Sequence, residues 1–162
     1  MTLYDWSQYT YGGNSACTAI ATFCAASFAD GFDPPVMETR LQTLTKAGCA
    51  LWADHHHRSQ SVQEVIDSEP FFTNYKLCSW QCGPGEGQLP LAELLSSDEF
   101  GARGNWGAVV TGGGTSVAIG RNGTTHYMFD SHGPRATWRQ AAEQTWGAVH
   151  YDGTVDVTQF RR

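Results

Sequence analysis

The chain is short of charge, and shorter still of positive charge. Charged residues fill 16% of its 162 positions, and ten Lys and Arg stand against sixteen Asp and Glu, a formal net charge of -6. The basic residues are scattered, so the electrostatic footprint of a nucleic-acid binder is missing and no nucleic-acid partner is expected. An acidic surface suits a basic partner instead. No apolar run approaches the ~20 residues that cross a bilayer, and no charged start with an apolar core and cleavage site opens the chain, so neither a membrane nor an export route is expected. Five cysteines, an odd number without regular spacing, do not make a disulfide framework. They point to a reducing, cytoplasmic setting in which a thiol can be reactive. Internal repeats, low-complexity segments and linkers are absent too.

What is present is enough for one domain over residues 1–162. Hydrophobic residues make up 41% of the chain, including six tryptophans, which is ample for one packed core and too little length for two. We expect an α+β fold acting as a monomer, with a helical first half packed on an antiparallel β second half. Cys17, Ile20, Ala21, Cys24 and Phe28 recur at helical spacing, with Asn14 or Ser15 as cap and Asp30-Gly31 as stop. Further helices are predicted over Val36–Ala47, ended by Lys46 and Gly48, over Val62–Asp67, and over Leu89–Leu95, entered through Pro90. Met1–Tyr11 reads as an extended entry. Beyond Asn105 the texture changes to β-branched and aromatic runs: Trp106–Thr111, Ser116–Gly120 and Thr124–Asp130, punctuated by Gly112-Gly113-Gly114 and Asn122-Gly123. Asn-Gly between two such runs is a strong hairpin signal. A helical stretch over Arg135–Gln144 and a strand near Gly147–Tyr151 complete the expectation.

The chemistry concentrates in two places. Cys17 opens the first helix, where unpaired N–H groups favour a thiolate over the neutral thiol. Far along the chain, one strand carries His126, Met128, Asp130 and His132 on a shared face, with Tyr127 and Phe129 turned to the core. A carboxylate beside an imidazole fixes its tautomer and stabilises its charged form, so Asp130 and His132 fit the orienter and base of a nucleophilic triad. Gln8, separated from Cys17 by a glycine loop, is the candidate side-chain donor to the oxyanion. Taken singly, each residue fits a duller account: a core cysteine, a surface Asp-x-His, a solvated glutamine. Their order along the chain favours the joint reading.

Gln8, then Gly13-Asn14-Ser15-Ala16-Cys17-Thr18-Ala19-Ile20, then Tyr127-Met128-Phe129-Asp130-Ser131-His132-Gly133 resemble the herpesvirus large tegument protein deubiquitinase domain and the tegument-like deubiquitinases found outside those viruses. The resemblance implies a papain-like fold with Cys17 as nucleophile, His132 as base, Asp130 as its orienter and Gln8 at the oxyanion hole. It implies ubiquitin or polyubiquitin as partner, cleavage after the terminal glycine, and no cofactor. A ubiquitin tail is extended, basic and ends in two glycines, so it needs a narrow channel with carboxylates. Trp6, Tyr9 and Trp52 are candidate walls, Gly113 a point of close backbone approach, and Asp5 and Asp54 candidate charges.

Competing constellations are weaker. His55-His56-His57 with Cys49, Cys78 and Cys82 lacks the repeated short spacings of a zinc site, and consecutive histidines point apart, so no metal is expected. A peptidase or acyl transferase with His126 as base is the alternative enzyme. An inactive ubiquitin-binding module is the alternative outside catalysis.

Overall fold

The first helix, α1 (Cys17–Asp30), is buried around most of its circumference: Ile20, Cys24, Ala25 and Phe28 are each at most 1% exposed. Its repeated alanines explain this, because small side chains let neighbours approach from several sides. In the computed structural model, which describes residues 1–31, 37–101, 104–141 and 153–162, one side of α1 meets a β-sheet and another meets α2 (Met37–Asp54). Two glycines permit the contacts. A Cβ at Gly107 would lie 1.8 Å from the Ala25 carbonyl oxygen, and one at Gly48 would lie 2.5 Å from Ile20 Cγ1. Gly48 therefore does not stop α2, as its sequence context predicts; it is where α2 crosses α1, and the helix runs on to Asp54. Burial of a side chain such as Phe28 contributes about 1.5–3 kcal/mol.

The entry segment is a two-residue strand, β1 (Thr2–Leu3), followed by a 3₁₀ turn over Gln8–Tyr11. After α2 come α3 (Val62–Ser68), opened by a Ser61/Glu64 capping box, and a 3₁₀ turn over Pro70–Asn74. Strand β2 (Lys76–Cys82) precedes two short helices, α4 (Leu91–Ser96) and α5 (Asp98–Gly101). The remaining strands are β3 (Trp106–Gly112), β4 (Thr115–Asn122), β5 (Thr125–Asp130), β6 (Thr137–Ala141) and β7 (Val155–Arg161).

The seven described strands form one antiparallel sheet in the order β1-β6-β5-β4-β3-β7-β2. Its centre is the expected meander. Gly113 and Gly114, at φ +59° and +80°, make the two-residue turn between β3 and β4, a conformation that favours glycine. Both faces of the sheet are covered. Val109, Ala118, Tyr127 and Phe129 face α1, while Val110, Ile119 and Met128 face Leu94, Leu95 and Phe100 from α4 and α5. Met128 is thus buried, on the face opposite Tyr127 and Phe129.

Three expectations change. Residues 137–141 are strand β6, not helix: Ala136 and Trp138 are buried, Thr137 and Arg139 less so, and Trp138 stacks on Tyr127 at 5.1 Å. Pairing with β5 and the aromatic contact override the helix propensity of this stretch. The strands β2 and β7 escaped the sequence reading. At α1, Ala16 occupies the cap position with no side-chain hydrogen bond, so neither Asn14 nor Ser15 caps the helix. The remainder of the predicted helix beyond Ala141, and the strand near Gly147–Tyr151, lie outside the described residues.

Candidate active site

The N-terminal segment runs along β6 and back, with Tyr4 N–H donating to Ala136 O at 2.9 Å and Ala136 N–H to Trp6 O at 2.7 Å. This carries Gln8 to the end of β5 and the chain onward into α1, so the first turn of α1 lies beside the segment after Asp130. Cys17, Asp130 and His132 come together there.

Strand β5 stops at Asp130, and the chain turns. His132 is therefore not a strand-face neighbour of Asp130 but closes a local turn on it: its backbone N–H donates to Asp130 Oδ1 at 2.9 Å, and its Nδ1 lies 2.6 Å from the same oxygen. A carboxylate acceptor makes Nδ1 the protonated nitrogen and leaves Nε2 for Cys17. Burial works against the Asp130 carboxylate, but hydrogen bonds from the His132 ring and backbone, with its charge, hold the group below the usual range. His132 is pushed up to about 10, first by the Asp130 hydrogen bond and then by the one to Cys17, with burial opposing.

Cys17 is 6% exposed, and burial alone would raise its thiol. The hydrogen bond and charge of His132 outweigh that, helped by the Ser116 backbone N–H and the Thr18 hydroxyl, so the thiol is held below its ordinary value. The uncapped first turn of α1 adds unpaired N–H groups at the same end. Beneath the thiol, Ser116 Oγ lies 2.9 Å from Thr18 Oγ1 and 2.7 Å from Thr111 Oγ1. Sequence reasoning missed Ser116, whose only local signal is a serine just after the β3–β4 turn.

Gln8 is 1% exposed, and its amide is already engaged. Nε2 donates to Gly13 O at 2.8 Å and approaches Asn14 O at 3.4 Å, while Oε1 accepts from Ser131 Oγ at 2.7 Å. His126 belongs elsewhere. It pairs opposite Arg121, four residues and about 13 Å of strand before Asp130, and burial with the Arg121 charge lowers its pKa. The groups that lower the Cys17 thiol are His132, Ser116 and Thr18.

Two of the three expected channel walls are buried. Trp6 is 3% exposed, stacked on Tyr4 and donating Nε1–H to Glu38 Oε1 at 3.2 Å. Trp52 is 6% exposed and meets His57 edge-on. Both belong to the buried core that packs around α1. Tyr9 is exposed beside Gln8, Gly113 caps the β3–β4 turn in open space, and Asp5 and Asp54 are exposed. Cys49 packs against Gly13, Cys78 is exposed on β2, and Cys82 is in the second core. Among the described residues no three His, Cys, Asp or Glu side chains gather into a metal-binding group. No described helix is long and apolar enough to cross a membrane.

A groove begins at the residue after the thiol. It has a volume of about 480 Å³ and lies between α3 and the β7–β2 edge of the sheet, from Thr18 and Thr111 past Gln60 and Ile66 to Leu77, with Asp156 among its lining residues. The alternation of Val155, Asp156 and Val157, buried, exposed, buried, is the sequence signal that would have revealed this strand and its carboxylate.

The fold is shared with the ubiquitin-specific protease encoded by a murine cytomegalovirus tegument protein, solved with a ubiquitin-based suicide substrate. The similarity covers 99% of this chain and 85% of the viral one, with a TM-score of 0.67 at 16% sequence identity. No family model and no curated protein matches the sequence.

Proposed function

We propose that this chain is a papain-like cysteine deubiquitinase that hydrolyses isopeptide or peptide bonds after the C-terminal glycine of ubiquitin, as a monomer in a reducing compartment. The observation that carries the reading is the Cys17–His132–Asp130 relay, on a fold shared with a viral ubiquitin-specific protease.

In this mechanism Cys17 Sγ, as thiolate, attacks the carbonyl carbon of the terminal glycine. The negative charge moves to the carbonyl oxygen, where N–H groups at the uncapped start of α1 receive it. The His132 Nε2 proton passes to the departing amine, and the acyl group remains on sulfur as a thioester. A water then gives its proton to His132 as it attacks, the C–S bond breaks, and ubiquitin leaves with a free carboxylate. Asp130 keeps the ring oriented and stabilises its charged form. No cofactor enters any step.

The groove supports the substrate assignment. It starts beside the nucleophile and includes Asp156, which suits an extended tail with basic side chains. The test is incubation with ubiquitin carrying a thiol-reactive C-terminal warhead. The native chain gains the mass of one ubiquitin and Cys17→Ala does not. A folded native chain that forms no adduct would overturn ubiquitin as the substrate.

A further inference from the structure

We propose that Ser131 and Gln8 form a clamp that sets the position of His132 against Cys17, and that the Gln8 side chain acts through this clamp rather than by donating to the oxyanion. The inference rests on the reading of Cys17 and His132 as nucleophile and base. Ser131 stands between Asp130 and His132 and is 3% exposed. Its hydroxyl donates to Gln8 Oε1 at 2.7 Å, and its carbonyl accepts from the Gln8 backbone N–H at 3.0 Å. On the other side, Gln8 Nε2 donates to Gly13 O at 2.8 Å and lies 3.4 Å from Asn14 O, and Gly13 N–H donates to Gln8 O at 3.0 Å. Every polar group of this buried residue is therefore used, and apart from the Cys49 thiol, 3.7 Å from Gln8 O, its partners lie in two segments. One is the loop that leads into Cys17, and the other is the residue between the carboxylate and the imidazole.

The amide orientation is dictated by its neighbours. Turning it over would set Oε1 against the Gly13 and Asn14 carbonyl oxygens, so the NH₂ group must face them. Its hydrogens are directed at two backbone acceptors, and donation to an oxyanion would strip a buried carbonyl of its partner. A fully satisfied buried network of this kind holds geometry well. Nucleophile and base sit on separate elements, and this network ties the two segments together directly. Ser131 is then a positioning residue, reaching Cys17 through Gln8, Gly13 and Asn14.

Alkylation by iodoacetamide separates the two roles, because displacement of iodide by a thiolate creates no oxyanion. The full chain is alkylated across a pH series and the Cys17 adduct is quantified by mass spectrometry, alongside steady-state turnover of a ubiquitin C-terminal substrate. The wild-type profile is expected to rise below the ordinary thiol range. Ser131→Ala keeps the Gln8 NH₂ group but removes its anchor; the Cys17 alkylation profile should move toward that of a free thiol, and kcat should fall about 10–100-fold with KM little changed. Ser131→Thr, which restores the hydroxyl, should recover both. If Ser131→Ala does not fold, Gln8→Met, similar in length and without polar side-chain atoms, is expected to shift the profile in the same way. An unshifted profile with lowered kcat in either variant would overturn the clamp in favour of oxyanion donation, and unchanged kcat and profile would overturn it outright. A wild-type Cys17 that alkylates like a free thiol would instead sink the Cys17–His132 reading itself.

Discussion

Helix α1 carries two buried cysteines seven positions apart, about two turns, and they are opposite in character. Cys24 is wholly buried among apolar neighbours; desolvation drives its pKa far up, and the charge of Arg40 offsets little of it. Cys17 is almost as buried, yet its thiol is held low because His132, the Ser116 N–H and the Thr18 hydroxyl reach it at the end of the helix. Burial alone does not decide whether a thiol is inert. The partners that share the burial decide it, and two of them, His132 and Ser116, arrive from the turn after β5 and from β4, roughly a hundred residues away in sequence.

The sharpest way to break this contrast is to remove each sulfur. Cys17→Ala should lower ubiquitin-substrate turnover by about 10⁴-fold or more, while Cys24→Ala should leave turnover within a few-fold and cost about 1 kcal/mol of stability through a small cavity. Parallel turnover assays and denaturant melts check both; a Cys24→Ala protein as dead as Cys17→Ala would end the contrast. The base is the next lever. His132→Ala should cost about 10³-fold or more in kcat and His126→Ala only a few-fold, and the reverse result in the same assay would reassign the base to His126.

The pH dependence sharpens the comparison without mutation. The depressed Cys17 thiol and His132 at about 10 favour the thiolate–imidazolium pair over the neutral pair. Turnover should rise with pH below the ordinary thiol range and fall as His132 loses its proton near pH 10. Stability follows the same signs. The His132 contribution, from a raised folded pKa, is complete below the unfolded value of about 6.5 and is lost as pH rises through about 10. The Asp130 contribution, from a depressed pKa, is present above the unfolded value of about 3.9 and is lost as pH falls through the folded one. Melts across pH should show both losses, and a flat stability at high pH would contradict the raised His132. The mildest lever is Gly48→Ala, whose Cβ would press on Ile20, three residues along α1 from Cys17. It should cost roughly 1–3 kcal/mol of stability, read by denaturant melts, with turnover nearly unchanged at a temperature where the protein stays folded.

Local signals made much of this legible. The alanine-rich run after Cys17, the Gly-Gly and Asn-Gly turns, and the alternation through Tyr127 and Phe129 each encode their own element, since turn geometry and side-chain period act within a few residues. Lys76–Cys82 stayed hidden because an edge strand that is exposed over most of its length has no hydrophobic pattern to announce it. Residues 137–141 read as helix in isolation, since Ala, Gln and Arg favour it, whereas β5 offers an edge to pair with and Tyr127 a stacking partner for Trp138. The walls expected at Trp6 and Trp52 went into the core, since aromatic surface is worth most where several elements cover it.

By itself the sequence determined the position of a thiol at a helix start, the Asp-x-His block far along the chain, and the antiparallel hairpins that carry it. Tertiary structure alone decided that His132 rather than His126 meets Cys17, that the Ser116 N–H reaches the sulfur, that Gln8 faces Gly13 and Ser131, and that the groove opens between α3 and the β7–β2 edge. The reason is range. Propensity, capping and alternation are settled between near neighbours, whereas a depressed thiol pKa depends on charges and donors within a few ångströms that the chain brings together only on folding.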